Sequence, residues 1–305
     1  MTLTHAPVAT VATPERERPI EGADRVVTLA DGRKLGYLES GAPDGTPVLF
    51  FHGFGTTRVI CPPEGPAVER GIRLIALDRP GIGLSEPLPG RRLVDWPADV
   101  AEVADRLKLD RFSIVGWSGG GPYALACAVA MPERVRSVAL VSTPAPLAGS
   151  NERGYLRRFD KSAVHAAGRA PWVIRLAMWH WGRGQRRDAA GFFDKSVAEM
   201  CAADQAVLAE PALRSRMIAN STELYRQGGR GMYDEALVLA RPWGFDLAEV
   251  SVPVHVWYGA RDETVPEGMV RHLAAEIPGA ELHVSADEGH HLLYSSWSEI
   301  LATLD

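Results

Sequence analysis

A serine flanked by glycines is the first candidate for chemistry in this sequence. The stretch GWSGGG at residues 116–121 places Ser118 in a Gly-x-Ser-x-Gly pattern, between the strand-like run at 112–116 and a helix-like run at 119–131. A sharp turn from a buried strand into a helix exposes a serine hydroxyl, and the crowding around such a turn requires small residues two positions to either side. A glycine-rich turn whose serine has no catalytic role would give the same pattern. The presence of a base and an acid elsewhere in the sequence must therefore distinguish the two interpretations.

A serine hydroxyl needs a base, and the base needs an orienting carboxylate. On a strand–helix turn of this kind the chain order is serine, acid, histidine. Asp262 follows the strand-like run at 253–259, and catalytic groups collect at the carboxyl ends of parallel strands. We therefore predict Asp262 as the acid. Glu263 and Asp246 are the competing carboxylates.

The candidate base is His290, which comes after Gly289 and after the strand-like run at 281–285. His291 is its direct rival. A metal site is the other interpretation of the acidic and histidine residues here, which are His283, Asp287, Glu288, His290 and His291. Adjacent histidines rarely aim at one ion and no His-Glu-x-x-His motif is present, so we predict no metal site.

Two backbone amides are candidates for stabilising a negatively charged oxygen. The stretch FFHGFGTT at 50–57 follows a buried strand-like run, where a His-Gly loop supplies one donor in folds of this type. We predict that the amides of Phe54 and Gly119 form this oxyanion hole, and that His52 braces the loop. A glycine-rich turn without this role is the alternative.

The elements that must position these residues alternate between strands and helices. Continuous apolar runs at 47–52, 72–78, 112–116 and 135–142 are typical of parallel strands covered on both faces, and helical patterns lie between them. The pattern predicts an α/β fold with a core at 24–143 and 243–305. Residues 144–242 show helical spacing without a clear strand and predict an inserted helical cap, whereas residues 1–23 predict a disordered tail.

Composition excludes several classes of protein. The net charge of −5 supplies no basic field for nucleic acid or for an acidic membrane surface. The three cysteines are widely spaced, which favours reduced thiols over a disulfide framework. No apolar run is long enough to cross a membrane, and the N-terminus lacks the pattern of a signal peptide, so we expect a cytoplasmic protein.

The motifs together resemble those of the α/β-hydrolase-fold enzymes that carry a helical cap. The matching stretches are HGFG (52–55), DRPGIGLS (78–85), GWSGGG (116–121), GARDETVP (259–266) and GHH (289–291). The resemblance implies a mostly parallel eight-stranded sheet flanked by helices, a Ser-His-Asp triad and no cofactor. It implies only a structural role for the loop at 78–85. HGFG differs from the HGGPG of proline iminopeptidases, and a serine nucleophile disfavours epoxide hydrolases and haloalkane dehalogenases.

These observations predict a serine hydrolase that acts on a carboxylic ester or a lactone of small to medium, partly apolar character. We expect Trp117, Trp179 and Phe192 to contact this small-molecule substrate, because aromatic side chains supply apolar walls. Perhydrolysis, C–C bond hydrolysis and amide hydrolysis on the same triad remain alternatives. A ligand-binding homologue without turnover is the alternative of another class. The sequence leaves monomer and homodimer equally open.

Overall fold

The structure is a computed structural model that describes residues 9–10, 22–147 and 158–304. The strands of these residues form one mixed sheet. Its strands are β1 (Ala9–Thr10), β2 (Ala23–Thr28), β3 (Lys34–Gly41), β4 (Thr46–Phe51), β5 (Ile72–Leu77), β6 (Phe112–Trp117), β7 (Val135–Val141), β8 (Val254–Gly259) and β9 (Glu281–Ser285). The helices outside the interval between β7 and β8 are α1 (Gly65–Glu69), α2 (Trp96–Arg106), α3 (Gly121–Ala130), α10 (Glu267–Glu276), α11 (Leu292–Ser295) and α12 (Trp297–Ala302). Helices α4 (Arg158–Arg169), α5 (Pro171–Arg187), α6 (Ala189–Ala198), α7 (Ala202–Leu208), α8 (Pro211–Leu224) and α9 (Arg230–Ala240) follow β7 and precede β8. We refer to α4–α9 as the cap, after the predicted insert, and their division from the core as a separate cap stays a prediction.

The strand order across the sheet is β1-β2-β3-β5-β4-β6-β7-β8-β9. The pairs from β1 to β5 are antiparallel, and every pair from β5 onward to β9 is parallel. The eight strands implied by the family resemblance correspond to β2 to β9, and β1 adds a two-residue ninth strand. Strand β1 lies inside the segment predicted to be a disordered tail, most of which is outside the described residues, so that expectation stays a prediction for the rest.

Successive side chains of the central strands point to opposite faces of the sheet, so the apolar core consists of two layers. In β4, Leu49 and Phe51 join the apolar cluster under α2, α3 and α10, whereas Val48 and Phe50 join the cluster under α1, α12 and part of the cap. All four side chains are buried. A strand with both faces covered has no polar positions, which explains the continuous apolar runs of the sequence.

The interval between β7 and β8 contains helices and no strand in its described residues, 144–147 and 158–242. Helix α8 packs against the loop after β4, where Asn220 accepts a hydrogen bond from Thr57 and donates one to the Gly55 carbonyl. None of the described helices combines the length and the apolar character needed to cross a membrane.

Candidate active site

The carboxyl ends of four parallel strands converge on one site. The segments after β4, β6, β8 and β9 carry Phe54, Ser118, Asp262 and His290 respectively. Because these strand ends share one edge of the sheet, short loops are enough to bring the four residues together.

Ser118 lies on a strained turn between β6 and α3. Its φ of 50° is in the left-handed region, which non-glycine residues rarely adopt. A β-carbon at Gly116 would lie 2.7 Å from the Cα of Gly121, and one at Gly120 would lie 2.0 Å from the Phe51 carbonyl oxygen. The glycines on both sides of Ser118 are therefore required by the close approach of neighbouring backbone.

A continuous hydrogen-bond chain connects serine, histidine and aspartate. His290 Nε2 lies 3.1 Å from Ser118 Oγ, and His290 Nδ1 lies 2.8 Å from Asp262 Oδ2. Since a carboxylate only accepts, Nδ1 carries the proton and Nε2 offers its lone pair to the serine hydroxyl. This arrangement can remove the proton of Ser118 as an attack begins.

The loop after β8 fixes the direction of the Asp262 carboxylate. Its Oδ1 accepts hydrogen bonds from the amides of Thr264 at 2.7 Å and Val265 at 2.9 Å, which leaves Oδ2 for His290. The side chain of Asp262 is fully buried. The rival carboxylates do not take this place: Glu263 is exposed, and Asp246 caps a short 3₁₀ helix through the amide of Ala248.

The amides of Phe54 and Gly119 lie side by side next to Ser118. A β-carbon at Gly119 would lie 2.9 Å from the Phe54 nitrogen. Neither amide is among the donors of the loop and turn hydrogen bonds found in the described residues. Two adjacent donors beside a serine hydroxyl are suited to binding a developing oxyanion.

Arg79 braces the loop that carries Phe54. Its guanidinium donates to the carbonyls of His52 at 2.6 Å and Gly53 at 3.0 Å, and it pairs with buried Glu235 of cap helix α9. Glu235 also pairs with Arg91. Burial and the cation of Arg79 lower the pKa of His52 well below its ordinary value, so this imidazole is neutral. His52 is thus part of the brace, as the sequence predicted, and the Arg79–Glu235 pair extends that brace into the cap.

A cavity of about 220 Å³ opens at Ser118. Its walls are almost entirely apolar and, among the described residues, contain no charged side chain. They are formed by Phe54, Ser118, Gly119, Pro122, Pro144, Ala145, Leu147, Leu239, Trp243, Thr264, Val265 and Met269. The volume is below the roughly 300–1,000 Å³ that is usual for sites of drug-sized ligands, which favours a small substrate.

The structure does not bring the three predicted substrate contacts to this cavity. Trp117 is buried, its ring packs on His290 and its Nε1 donates to the His290 carbonyl. Trp179 is 53% exposed on α5, beneath Arg183. Phe192 contacts Gly184 within the cap. None of the three lines this cavity, so their contact with a substrate stays a prediction, and α9 contributes Leu239 to the wall.

Asp204 of cap helix α7 is a residue that the sequence analysis missed. Its carboxylate accepts hydrogen bonds from the amides of His290 at 3.1 Å and His291 at 2.7 Å, and from His291 Nδ1 at 3.0 Å. Burial alone would raise the pKa of Asp204, but the hydrogen bonds from His291 lower it well below its ordinary value. The cap thus holds the backbone of His290 through a buried anion, and His291 serves this contact instead of contacting Ser118.

The described part of the chain contains one group of histidine and acidic side chains close enough to hold a metal ion, and it lies on β8 and β9 away from Ser118. The sequence-based prediction of no metal site considered His283 but not its neighbours His255 and Glu281, so it stays a prediction.

Comparison with known proteins places these features in a family. The family model described as alpha/beta hydrolase fold matches residues 46–296. A dihydrolipoyllysine-residue acetyltransferase component of the acetoin cleaving system from Cupriavidus necator is 30% identical over 93% of this chain and 69% of its own length. A non-heme chloroperoxidase from Streptomyces lividans is 29% identical over 90% of this chain and 95% of its own length. A poly(3-hydroxyalkanoate) depolymerase from Ectopseudomonas oleovorans is 27% identical over 84% of this chain and 82% of its own length. From the family match and the fold, the chain belongs to the alpha/beta hydrolase fold family.

Proposed function

We propose that this chain is a serine hydrolase that cleaves a carboxylic ester or a lactone of a small, largely apolar substrate. The observation that carries the proposal is the contact of 3.1 Å between Ser118 Oγ and His290 Nε2 at the wall of an apolar cavity. An uncharged cavity suits a neutral acyl group. The relative whose name describes depolymerisation of a poly(3-hydroxyalkanoate) is in keeping with cleavage of an ester of a hydroxy acid.

The reaction proceeds in two halves. His290 accepts the proton of Ser118 while Oγ attacks the carbonyl carbon, and Asp262 stabilises the resulting imidazolium. The amides of Phe54 and Gly119 hold the oxyanion of the tetrahedral intermediate. His290 then protonates the departing alcohol, and water activated by the same imidazole hydrolyses the acyl-enzyme.

Covalent labelling tests the proposal directly. A fluorophosphonate probe is expected to form one adduct at Ser118, located by peptide mass spectrometry, and short aryl esters and lactones are expected to slow labelling by competition. A screen of esters, lactones and amides then ranks the substrates. An unlabelled Ser118 in a folded chain, together with no turnover of any ester or lactone, would contradict the proposal.

Perhydrolysis is a second candidate reaction, because a relative at 29% identity is named a non-heme chloroperoxidase. Hydrogen peroxide would replace water as the acceptor of the acyl group, and the products would be a peracid and the free serine. Peracid formation from acetate and peroxide, compared with ester hydrolysis by the same preparation, separates the two reactions.

The cavity predicts which residue sets the preference for acyl-chain length. Leu239 of α9 lines the cavity, and its Cδ1 lies 3.3 Å from the position of a β-carbon at Gly119. Leu239→Ala is expected to enlarge the cavity and to raise kcat/KM for hexanoate or octanoate aryl esters relative to acetate by roughly tenfold, since each buried methylene is worth about 0.8 kcal/mol. Kinetics on a series from acetate to octanoate measure the shift.

Two controls accompany Leu239→Ala. Leu237→Ala removes a buried leucine of the same helix that packs inside the cap, and Trp179→Ala removes an exposed aromatic ring. Both are expected to leave chain-length preference unchanged. An equal shift in Leu237→Ala would mean that loosening of the cap, and not the cavity wall, sets the preference.

Asp204 is expected to act as a positioning residue. Asp204→Asn leaves one of the buried amides of His290 and His291 without an acceptor, and an unsatisfied buried group costs about 1–3 kcal/mol. Because this amide belongs to the backbone that positions His290, we expect the imidazole to be held less well for proton transfer. We expect kcat to decrease by roughly 10- to 100-fold while KM changes little. Steady-state kinetics and the rate of fluorophosphonate labelling measure the effect.

The matched control is Asp194→Asn, which removes an exposed cap carboxylate paired with Arg214. We expect this variant to keep wild-type kcat. A change in the melting temperature of Asp204→Asn without any change in kcat would assign Asp204 a purely structural role.

A further inference from the structure

Three potential metal ligands meet on the outer strands of the sheet, away from Ser118. His255 lies on β8, and Glu281 and His283 lie on the neighbouring edge strand β9. The register pairs His255 with Glu281 and Trp257 with His283. Side chains two positions apart on a strand share a face, so the two strands place all three ligands on one face of the sheet.

The distances between the donor atoms fit a tetrahedral ion. His255 Nδ1 lies 3.3 Å from His283 Nε2 and 3.4 Å from Glu281 Oε2, and His283 Nε2 lies 3.9 Å from Glu281 Oε2. An ion with bonds of about 2.0–2.1 Å to its ligands in a tetrahedron separates them by about 3.3–3.4 Å. Two of the three separations match this value, and the third needs only a small rotation of the exposed Glu281 side chain.

The surroundings prepare these groups to bind a cation. The indole of Trp257 stacks on the His283 ring at 4.4 Å with an interplanar angle of 13°, which holds the imidazole in place. Glu281 adds the negative charge that a divalent ion requires, and 67% of its side chain remains exposed, which leaves room for a water ligand.

We propose that His255, Glu281 and His283 form a binding site for a divalent transition-metal ion, with Zn²⁺ as the best fit. Two imidazoles and one carboxylate are ligands that Zn²⁺ accepts, and water completes the fourth position. Hard ions such as Mg²⁺ and Ca²⁺ prefer sets of oxygen ligands and are expected to bind far more weakly.

A metal ion bound at this position would have a structural effect on the strands that precede Asp262 and His290. A bound ion joins β9, the edge strand, to β8, and these two strands lead directly into the loops of His290 and Asp262. The loops are already connected, because the amide of Ala260 donates to the Ser285 carbonyl and that of Arg261 donates to the Glu288 carbonyl. A metal clamp on the strands therefore resists separation of the two residues that activate Ser118.

Calorimetric titration of the metal-free chain with Zn²⁺ tests the site. The wild type is expected to bind one ion saturably and to show a higher melting temperature with Zn²⁺ than with Mg²⁺. Co²⁺ is expected to give the visible absorption of tetrahedral coordination. Glu281→Gln and His283→Ala are each expected to weaken Zn²⁺ binding by at least about tenfold, since even outer-shell changes cost 10- to 100-fold.

The control is His180→Ala, which removes an exposed histidine of cap helix α5 and is expected to leave Zn²⁺ affinity unchanged. Glu281→Gln keeps the shape of an exposed side chain, so its metal-free melting temperature is expected to equal that of the wild type. Absence of saturable Zn²⁺ binding to the wild type would overturn the proposal. Binding of equal strength in Glu281→Gln and His283→Ala would also overturn it.

Discussion

Ser118→Ala is expected to lower kcat for short aryl esters by about 10⁴- to 10⁶-fold, the loss typical of removing a nucleophile from a serine triad. The hydroxyl that contacts His290 Nε2 is the atom that would form the acyl-enzyme, and alanine offers no substitute. The residual rate reflects binding and the oxyanion amides alone. Steady-state kinetics and loss of fluorophosphonate labelling measure the change.

Ser142 provides a matched control for Ser118→Ala. It also follows a central strand, has a positive φ of 47° and is fully buried. Its hydroxyl has no hydrogen-bond partner among the described residues. Ser142→Ala is expected to keep wild-type kcat, and both variants are expected to melt within a few degrees of the wild type. If Ser118→Ala retained a tenth of wild-type activity, the nucleophile would be another residue.

The parts of the site that could be predicted from sequence are those set by local geometry. The turn at Ser118 leaves a recognisable signature because backbone atoms lie within 3 Å of where a β-carbon would stand at Gly116 and Gly120, so only glycine fits there. Asp262 and His290 could be placed because each follows a strand of an alternating pattern by a few residues. The central strands β4 to β8 were predictable because burial on both faces leaves nearly continuous apolar runs.

The cap residues could not be placed, because helical spacing alone does not say which face meets the core. In α5, Trp172 and Trp179 are seven residues apart and share the exposed face, whereas Trp181 lies on another face and packs on Phe54 at 5.8 Å. Aromatic character was therefore a poor guide to the cavity. Only the orientation of α5 in the tertiary structure shows that Trp179 is exposed and that Trp181 packs on Phe54.

Contacts between distant segments left no signal in the sequence. Asp204 is 86 residues from His290, and Arg79 is 156 residues from Glu235. The ligands of the proposed metal site, His255 and His283, are 28 residues apart and meet only through strand pairing. A motif search finds groups of fixed spacing, and these pairs have none.

The role of Asp262 leads to the second large expected effect. In Asp262→Asn, the retained oxygen still accepts from the amides of Thr264 and Val265, so the new amide nitrogen takes the place of Oδ2 and faces His290. Two N–H groups cannot face each other, so the imidazole must carry its proton on Nε2. That nitrogen then points an N–H at Ser118 and cannot accept the serine proton.

We therefore expect Asp262→Asn to lower kcat by about 10⁴-fold, as the corresponding substitution does in the well-known Ser-His-Asp proteases. KM should change little, because Asp262 is not part of the cavity wall. Glu263→Gln and Asp287→Asn remove neighbouring exposed carboxylates and serve as controls with kcat near the wild-type value. A larger loss of kcat in either control than in Asp262→Asn would move the orienting role to that carboxylate.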